Sequence, residues 1–247
     1  IELGGLADMS ATDLQKALTG KRVSVSPSIN AYSESLSGSS TIKDLETLLQ
    51  LNYLYFTAPR RDEESYQTLM SILDSQLANR DNNPKVAFSD SIQMMVNDYS
   101  DRTIIVDKAL LEKVSLDKAL EIYKARFANP ADFIFFFVGN VDPTDEVFQS
   151  QVCTWLGGMK SSKKFETAKD DKVRVIKGLQ KNMFTRKMET KTASNRIQYT
   201  SYNMPYTLAN NLNMEMIGRI LSTRYLESIR EREGGSYGVG CAGWMNR

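Results

Sequence analysis

The chain has 247 residues, of which 41% are apolar and 25% charged, with a net charge of +1 and no histidine. That is enough apolar material for a sizeable core, and the length suits two modest domains. Lys and Arg are balanced by Asp and Glu, so no basic face for nucleic acid is expected. The longest unbroken apolar run, residues 133–138, falls far short of the ~20 residues needed to cross a bilayer.

Ser10 is a good helix cap for residues 10–18, with Asp13 three positions on and Gly20 as the stop. Residues 23–29 and 31–37 alternate apolar and polar around Pro27 and Asn30, the pattern of two strands or one bent ribbon. The polar stretch 38–41 caps an amphipathic helix whose stripe is Ile42, Leu45, Leu48, Leu49, Tyr53 and Phe56, and Pro59 forbids its continuation. A second helix opens at Asp62 and closes into the loop 79–84; a third covers 86–96 and ends in the polar stretch 97–102.

Beyond this break Ser115 caps a helix carrying Leu116, Ala119, Leu120, Tyr123 and Phe127, ending at Asn129-Pro130. Residues 133–138 read as a buried strand, followed by a turn and a helix closing at Gly157-Gly158. Residues 160–171 read as a solvated loop, and 173–176, 183–188 and 197–202 as strands. A long helix spans about 207–232, with Leu208, Leu212, Met216, Ile217, Ile220, Leu221, Leu226 and Ile229 on its apolar face. The order does not alternate strictly between strand and helix. It predicts an α+β fold with helices on one face of an antiparallel or mixed sheet. The run of cap, long helix and strand occurs on both sides of the polar break, which divides the chain into residues 1–106 and 107–247, two similar domains.

Cys153 and Cys241 lack a paired spacing and read as buried or partly buried thiols. The methionines at 94, 95, 214 and 216 read as packing residues. Glu63-Glu64 reads as an acidic first helical turn, and Asp170-Asp171 as loop charges. The chain opens at Ile1 and ends at Arg247 within a strand-like run, and is expected to be a piece of a longer protein.

The candidate site lies near the end, in Ile229-Arg230-Glu231-Arg232-Glu233-Gly234-Gly235-Ser236-Tyr237. A helix runs into a Gly-Gly break, and the spacing lets a guanidinium and a phenol approach one side of a cleft. On residue type alone, Arg230 equally suits a solvated helix-end cation. Tyr237 equally suits a packed strand aromatic, and the glycines a helix C-cap.

This run resembles the L-R-E-x-x-G-x-x-Y motif of the insulinase/pitrilysin family, zinc peptidases with an inverted H-x-x-E-H motif. Further pieces are similar in the same order: Leu3 to Asp8 with Ser10 to Leu18, Asn30-Ala31-Tyr32 before Ser37-Gly38-Ser39, Asp44 to Tyr55 with Pro59-Arg60, and Phe135 to Asp142. The resemblance implies the non-catalytic C-terminal half of a bacterial zinc metalloendopeptidase, with two similar α+β domains. It implies that Arg230 and Tyr237 bind the peptide substrate, and that zinc sits in a partner half bearing H-x-x-E-H. In the catalytic halves of the family a glutamate ligand precedes a loop ending in d-x-P. Here that position falls on Ser75 or Gln76, so no metal and no catalytic residue are expected in this chain. The rival reading is a proteolytically inactive structural or assembly relative. By family analogy, the compartment is the bacterial periplasm or cell envelope, or the cytoplasm.

Overall fold

The computed structural model describes residues 2–80, 83–162, 165–167, 169–187, 190–202 and 204–245, at position 79 by backbone alone. Packing divides the chain into two compact units, Ile1–Glu189 and Thr190–Arg247.

In the first unit, Ser10 caps α1 (Ala11–Ala17) by accepting a hydrogen bond from the Asp13 amide at 3.1 Å. Residues 23–29 form β1 (Val23–Ile29), but β2 (Glu34–Ser40) starts three residues later than expected and takes in residues 38–40, which were read as the helix cap; the two make an antiparallel hairpin in which Val25 faces Gly38. A 3₁₀ turn at Ile42–Asp44 leads into α2 (Leu45–Thr57). The Asp44 carboxylate accepts from the Arg22 amide at 3.0 Å and the Thr41 hydroxyl at 2.7 Å, joining the start of the hairpin to the helix entry. These donors hold its carboxyl below the usual range, the Arg22 amide first among them. Next come α3 (Glu63–Arg80), α4 (Pro84–Val96), α5 (Lys108–Leu111), α6 (Leu116–Arg126) and α7 (Glu146–Val152). A π-helical turn, Cys153–Gly157, extends α7.

The core of this unit joins Leu6, Val25, Leu51, Tyr55, Tyr123 and Phe127. Tyr123 and Phe127 stack at 4.5 Å, and Phe127, Phe133 and Phe56 continue the aromatic column at 5.4 and 4.8 Å. The Tyr123 hydroxyl donates to the Tyr55 carbonyl at 3.0 Å, satisfying the one polar atom this ring buries. Burial pushes the Tyr123 phenol pKa well up. Arg61 bridges Glu63 at the start of α3 to Asp117 at the start of α6. The core therefore draws on residues from both sides of position 106, and the domain boundary read from the sequence remains a proposal.

Several expected strands take another form. Residues 133–138 are extended but unpaired among the described residues, and Ile134, Phe136 and Val138 are 78%, 81% and 98% exposed. Only the alternate face packs, through Phe133 on Phe56 and Phe137 on Phe148. An extended apolar run becomes a buried strand only when neighbours supply both a hydrogen-bond ladder and a cover. Among the described residues 173–176, 183–187 and 197–202 likewise form no strand, although the Ile176 amide donates to the Val96 carbonyl at 2.9 Å; Met188 lies outside the described residues. What is observed is a helix-dominated α and β mixture with one small antiparallel sheet. Cys153, at the start of the π-helical turn, is exposed, contrary to expectation, while Cys241 is partly buried; both thiols are free.

Candidate functional site

Arg230 and Tyr237 both lie in the second unit. Its helix, α8 (Leu208–Tyr225), is capped by the Thr207 hydroxyl, which accepts from the Asn210 amide at 3.0 Å. The helix continues as a π-helical turn, Leu226–Arg232, that carries Arg230. The widened turn is closed by the Glu233 amide donating to the Ser228 carbonyl at 3.2 Å, and by Gly235 to Ile229 at 3.0 Å. Between these bonds Gly234 adopts φ +59°, a left-handed stop that a side chain would disfavour. The Ser236 hydroxyl then donates to the Gly238 carbonyl at 2.8 Å, bracing a tight turn with Tyr237 at its apex.

This geometry brings the two predicted residues together. The Arg230 guanidinium carbon lies 5.4 Å from the centre of the Tyr237 ring, within cation–π range. Tyr237 is 93% exposed and Arg230 is exposed as well, so both polar tips are open to solvent. A guanidinium presents several donors in a rigid plane and a phenol adds one. Together they suit an oxygen bearing full or developing negative charge.

The pair is held from below by a contact that sequence reasoning missed. Asn211, Met214, Gly218 and Ser222 fall at helical spacing on one face of α8. The extended segment 241–245 runs antiparallel along that face. Ser222 Oγ accepts from the Cys241 amide at 2.6 Å and donates to the Cys241 carbonyl at 2.7 Å. At the far end Asn211 Oδ1 accepts from the Met245 amide at 3.1 Å. Between these anchors the backbones nearly touch: a Cβ on Gly218 would lie 2.5 Å from the Gly243 nitrogen. The signal was present in Asn211, Gly218 and Ser222, small or polar residues at helical spacing between the apolar positions of α8. The predicted apolar stripe, by contrast, is open, with Leu208 at 70% and Met216 at 59% exposure.

The described residues do not converge into a zinc site. The sequence supplies no imidazole, and among the described residues no three Cys, Asp or Glu side chains converge. At the position the resemblance assigns to a ligand, the Ser75 hydroxyl donates to the Ser71 carbonyl at 3.0 Å. Neighbouring Asp74 pairs with Lys108 at 3.1 Å. An open depression in the first unit, lined by Leu45, Asn140, Asp142, Asp145 and Phe148, contains neither predicted site residue. Among the described residues no helix is long and apolar enough to cross a membrane.

The family described as the Peptidase M16 inactive domain matches residues 113–243, a stretch that includes Arg230 and Tyr237. A curated relative, a PQQL-like zinc protease of Arabidopsis thaliana, is 28% identical over 159 residues, covering 63% of this chain and 16% of the relative. The periplasmic protease PqqL from Escherichia coli has a similar structure, with a TM-score of 0.71 at 20% identity over 96% of this chain and 26% of that one. The ferredoxin protease FusC, solved in complex with Arabidopsis ferredoxin, is similar with a TM-score of 0.58 at 19% identity, over 71% of this chain and 19% of that one. The chain thus spans about a sixth of the length of the curated relative it matches.

Proposed function

The chain belongs to the peptidase M16 family, through its inactive domain, and from this we propose that it is part of the non-catalytic, substrate-gripping half of a zinc metalloendopeptidase. Zinc and its H-x-x-E-H ligands belong, on this reading, to a partner half that closes with this one around a peptide. Arg230 and Tyr237 then supply donors to the bound peptide, and the chain alone hydrolyses nothing. The two-domain division near residue 106 belongs to the same proposal; the family match starts at Lys113, a short way beyond that boundary.

The observation that carries the reading is the Arg230–Tyr237 pair, held at 5.4 Å within the matched region. Its chemistry suits the requirement. A peptide gripped in extended form presents carbonyl oxygens, and peptide hydrolysis develops negative charge on one of them. The similarity to proteases called PqqL and FusC supports a peptide or protein substrate.

Reconstitution tests the proposal. The chain should be inert toward unstructured peptides, as should the separately produced H-x-x-E-H half, and mixing them or using the intact protein should restore hydrolysis. An intact protein that carried H-x-x-E-H yet never cleaved a peptide would overturn it in favour of an assembly role.

A further inference from the structure

We propose that Ser222 is a positioning residue for the Arg230–Tyr237 pair, acting through the Cys241 backbone; its catalytic relevance rests on the gripping role given above to that pair. Ser222 is the last side-chain tie between α8 and the returning segment before the two arms that carry the site. From Ser222 the helix climbs eight residues to Arg230, on the order of 12 Å at helical rise. From Tyr237 the return to Cys241 takes four residues, at most about 13 Å when extended. The arms match in length. A clamp at their common base therefore sets arginine and phenol level, whereas a slip of one residue at Cys241 would move the phenol by about 3.3 Å.

The clamp is two-sided. One hydroxyl accepts from the Cys241 amide and donates to the same residue's carbonyl, at 2.6 and 2.7 Å. Such a residue on the returning segment cannot slide in either direction without losing both bonds. Below it, Gly218 and Gly243 bring the backbones so close that no side chain can intervene. Above it lie the π-helical turn and the Gly234 stop, where the Gly235 amide closes on the Ile229 carbonyl at 3.0 Å before the guanidinium meets the ring; among the described residues no side-chain hydrogen bond joins the two arms above Ser222. The site thus has one rigid base and two arms, and Ser222 is where the base ends.

The experiment uses the intact peptidase with Ser222→Ala, Ser222→Thr, Arg230→Ala, Tyr237→Phe and the Ser222→Ala/Tyr237→Phe double variant. Ser222→Ala should lower kcat by about 10- to 100-fold, the range for displacing a donor by an ångström or so. Ser222→Thr, which keeps the hydroxyl, should recover most of it. The double variant should be no slower than Tyr237→Phe alone, because a misplaced phenol and a missing hydroxyl are the same loss. A purely structural role would instead give additive penalties, and would overturn the proposal, as would wild-type kcat in Ser222→Ala while Arg230→Ala is impaired.

A second readout is independent of turnover. In protein carrying isotope-labelled arginine, the Arg230 side-chain protons should show the upfield shift of a group stacked on a ring. That shift should vanish in Tyr237→Leu and in Ser222→Ala and persist in Ser222→Thr. Its persistence in Ser222→Ala overturns the positioning role. Its loss there, combined with full activity of Arg230→Ala, keeps the positioning role and removes the gripping one. Should Ser222→Ala fail to fold, Asn211→Ala releases the far anchor alone and should weaken the shift without abolishing it; an unchanged or abolished shift would then overturn the proposal.

Discussion

The Arg230 guanidinium carbon lies 5.4 Å from the centre of the Tyr237 ring, seven residues and one Gly-Gly break further along the chain. Both side chains are exposed, so neither contributes appreciably to a core, and stability and function should separate cleanly here. In the intact peptidase, Arg230→Ala and Tyr237→Phe should each lower kcat/KM by about 10²–10³, the range for losing one preorganised donor. Thermal unfolding midpoints should move little. Wild-type turnover in both variants would return Arg230 to the role of a solvated helix-end cation.

The first unit should respond in the opposite way at Phe127. This ring is 1% exposed and is sandwiched by Tyr123 and Phe133. Phe127→Ala should destabilise the unit by about 3–5 kcal/mol, measured by urea unfolding, with the Arg230–Tyr237 geometry intact in what remains folded. A cost below about 1 kcal/mol would mean that the site collapses around the vacancy.

The helices and their caps were legible because their causes are local. Ser10 and Ser115 each accept the amide bond their positions predicted, and the hairpin followed from alternation around Pro27 and Asn30. The form of 133–138 was not legible, since an unbroken apolar run shows that a segment can be covered but not whether a neighbouring strand is there to pair with it. The Arg230–Tyr237 pairing was legible as a spacing, but the π-helical turn that delivers it was not; nothing local distinguishes its sequence from ordinary helix. Ser222 was missed for a related reason. A mid-helix serine has many uses, and the one it serves depends on a backbone segment nineteen residues away.

Metal content offers a third test. With no histidine in the sequence and carboxylate-only sites favouring harder ions, the isolated chain is expected to retain no zinc after dialysis. Elemental analysis giving close to one zinc per chain would contradict the assignment of the metal to a partner half.

Acid stability should be set by carboxylates. Asp44 is held below the usual range first by the Arg22 amide, Asp62 by the Ser65 amide and Asp117 by the Arg61 guanidinium. Each folded-state pKa lies below its unfolded value near ~3.9. The stabilisation is therefore complete above the unfolded value and is lost as pH falls through the lower folded one. With no histidine present, little else titrates between about pH 5 and 8. The melting temperature should be flat across that window and fall below about pH 4, and Asp44→Asn should lower the plateau and shrink the fall. A stability loss centred near neutral pH would contradict this account.

The final prediction concerns the contact beneath the site. A Cβ added to Gly243 would lie 2.2 Å from the Met214 carbonyl oxygen, well inside any tolerable approach. Neither partner can yield easily, because Met214 is held in the helix and Gly243 between the Cys241 and Met245 anchors. Gly243→Ala must then lift segment 241–245 off α8. The expected cost is about 1–3 kcal/mol, typical of overpacking, confined to the second unit. Because the lifted segment carries Tyr237 with it, peptide turnover by the intact protein should fall even at temperatures where the variant remains folded. Gly240→Ala is the matched control: its added Cβ would meet only the Ser222 hydroxyl, at 4.0 Å, so this glycine tolerates a methyl group by contact alone. Hydrogen exchange at the Cys241 and Met245 amides, each bonded to a helix side chain, should quicken in Gly243→Ala and stay slow in Gly240→Ala. Equal protection in both variants would show that the close glycine contact is not what holds the segment in place.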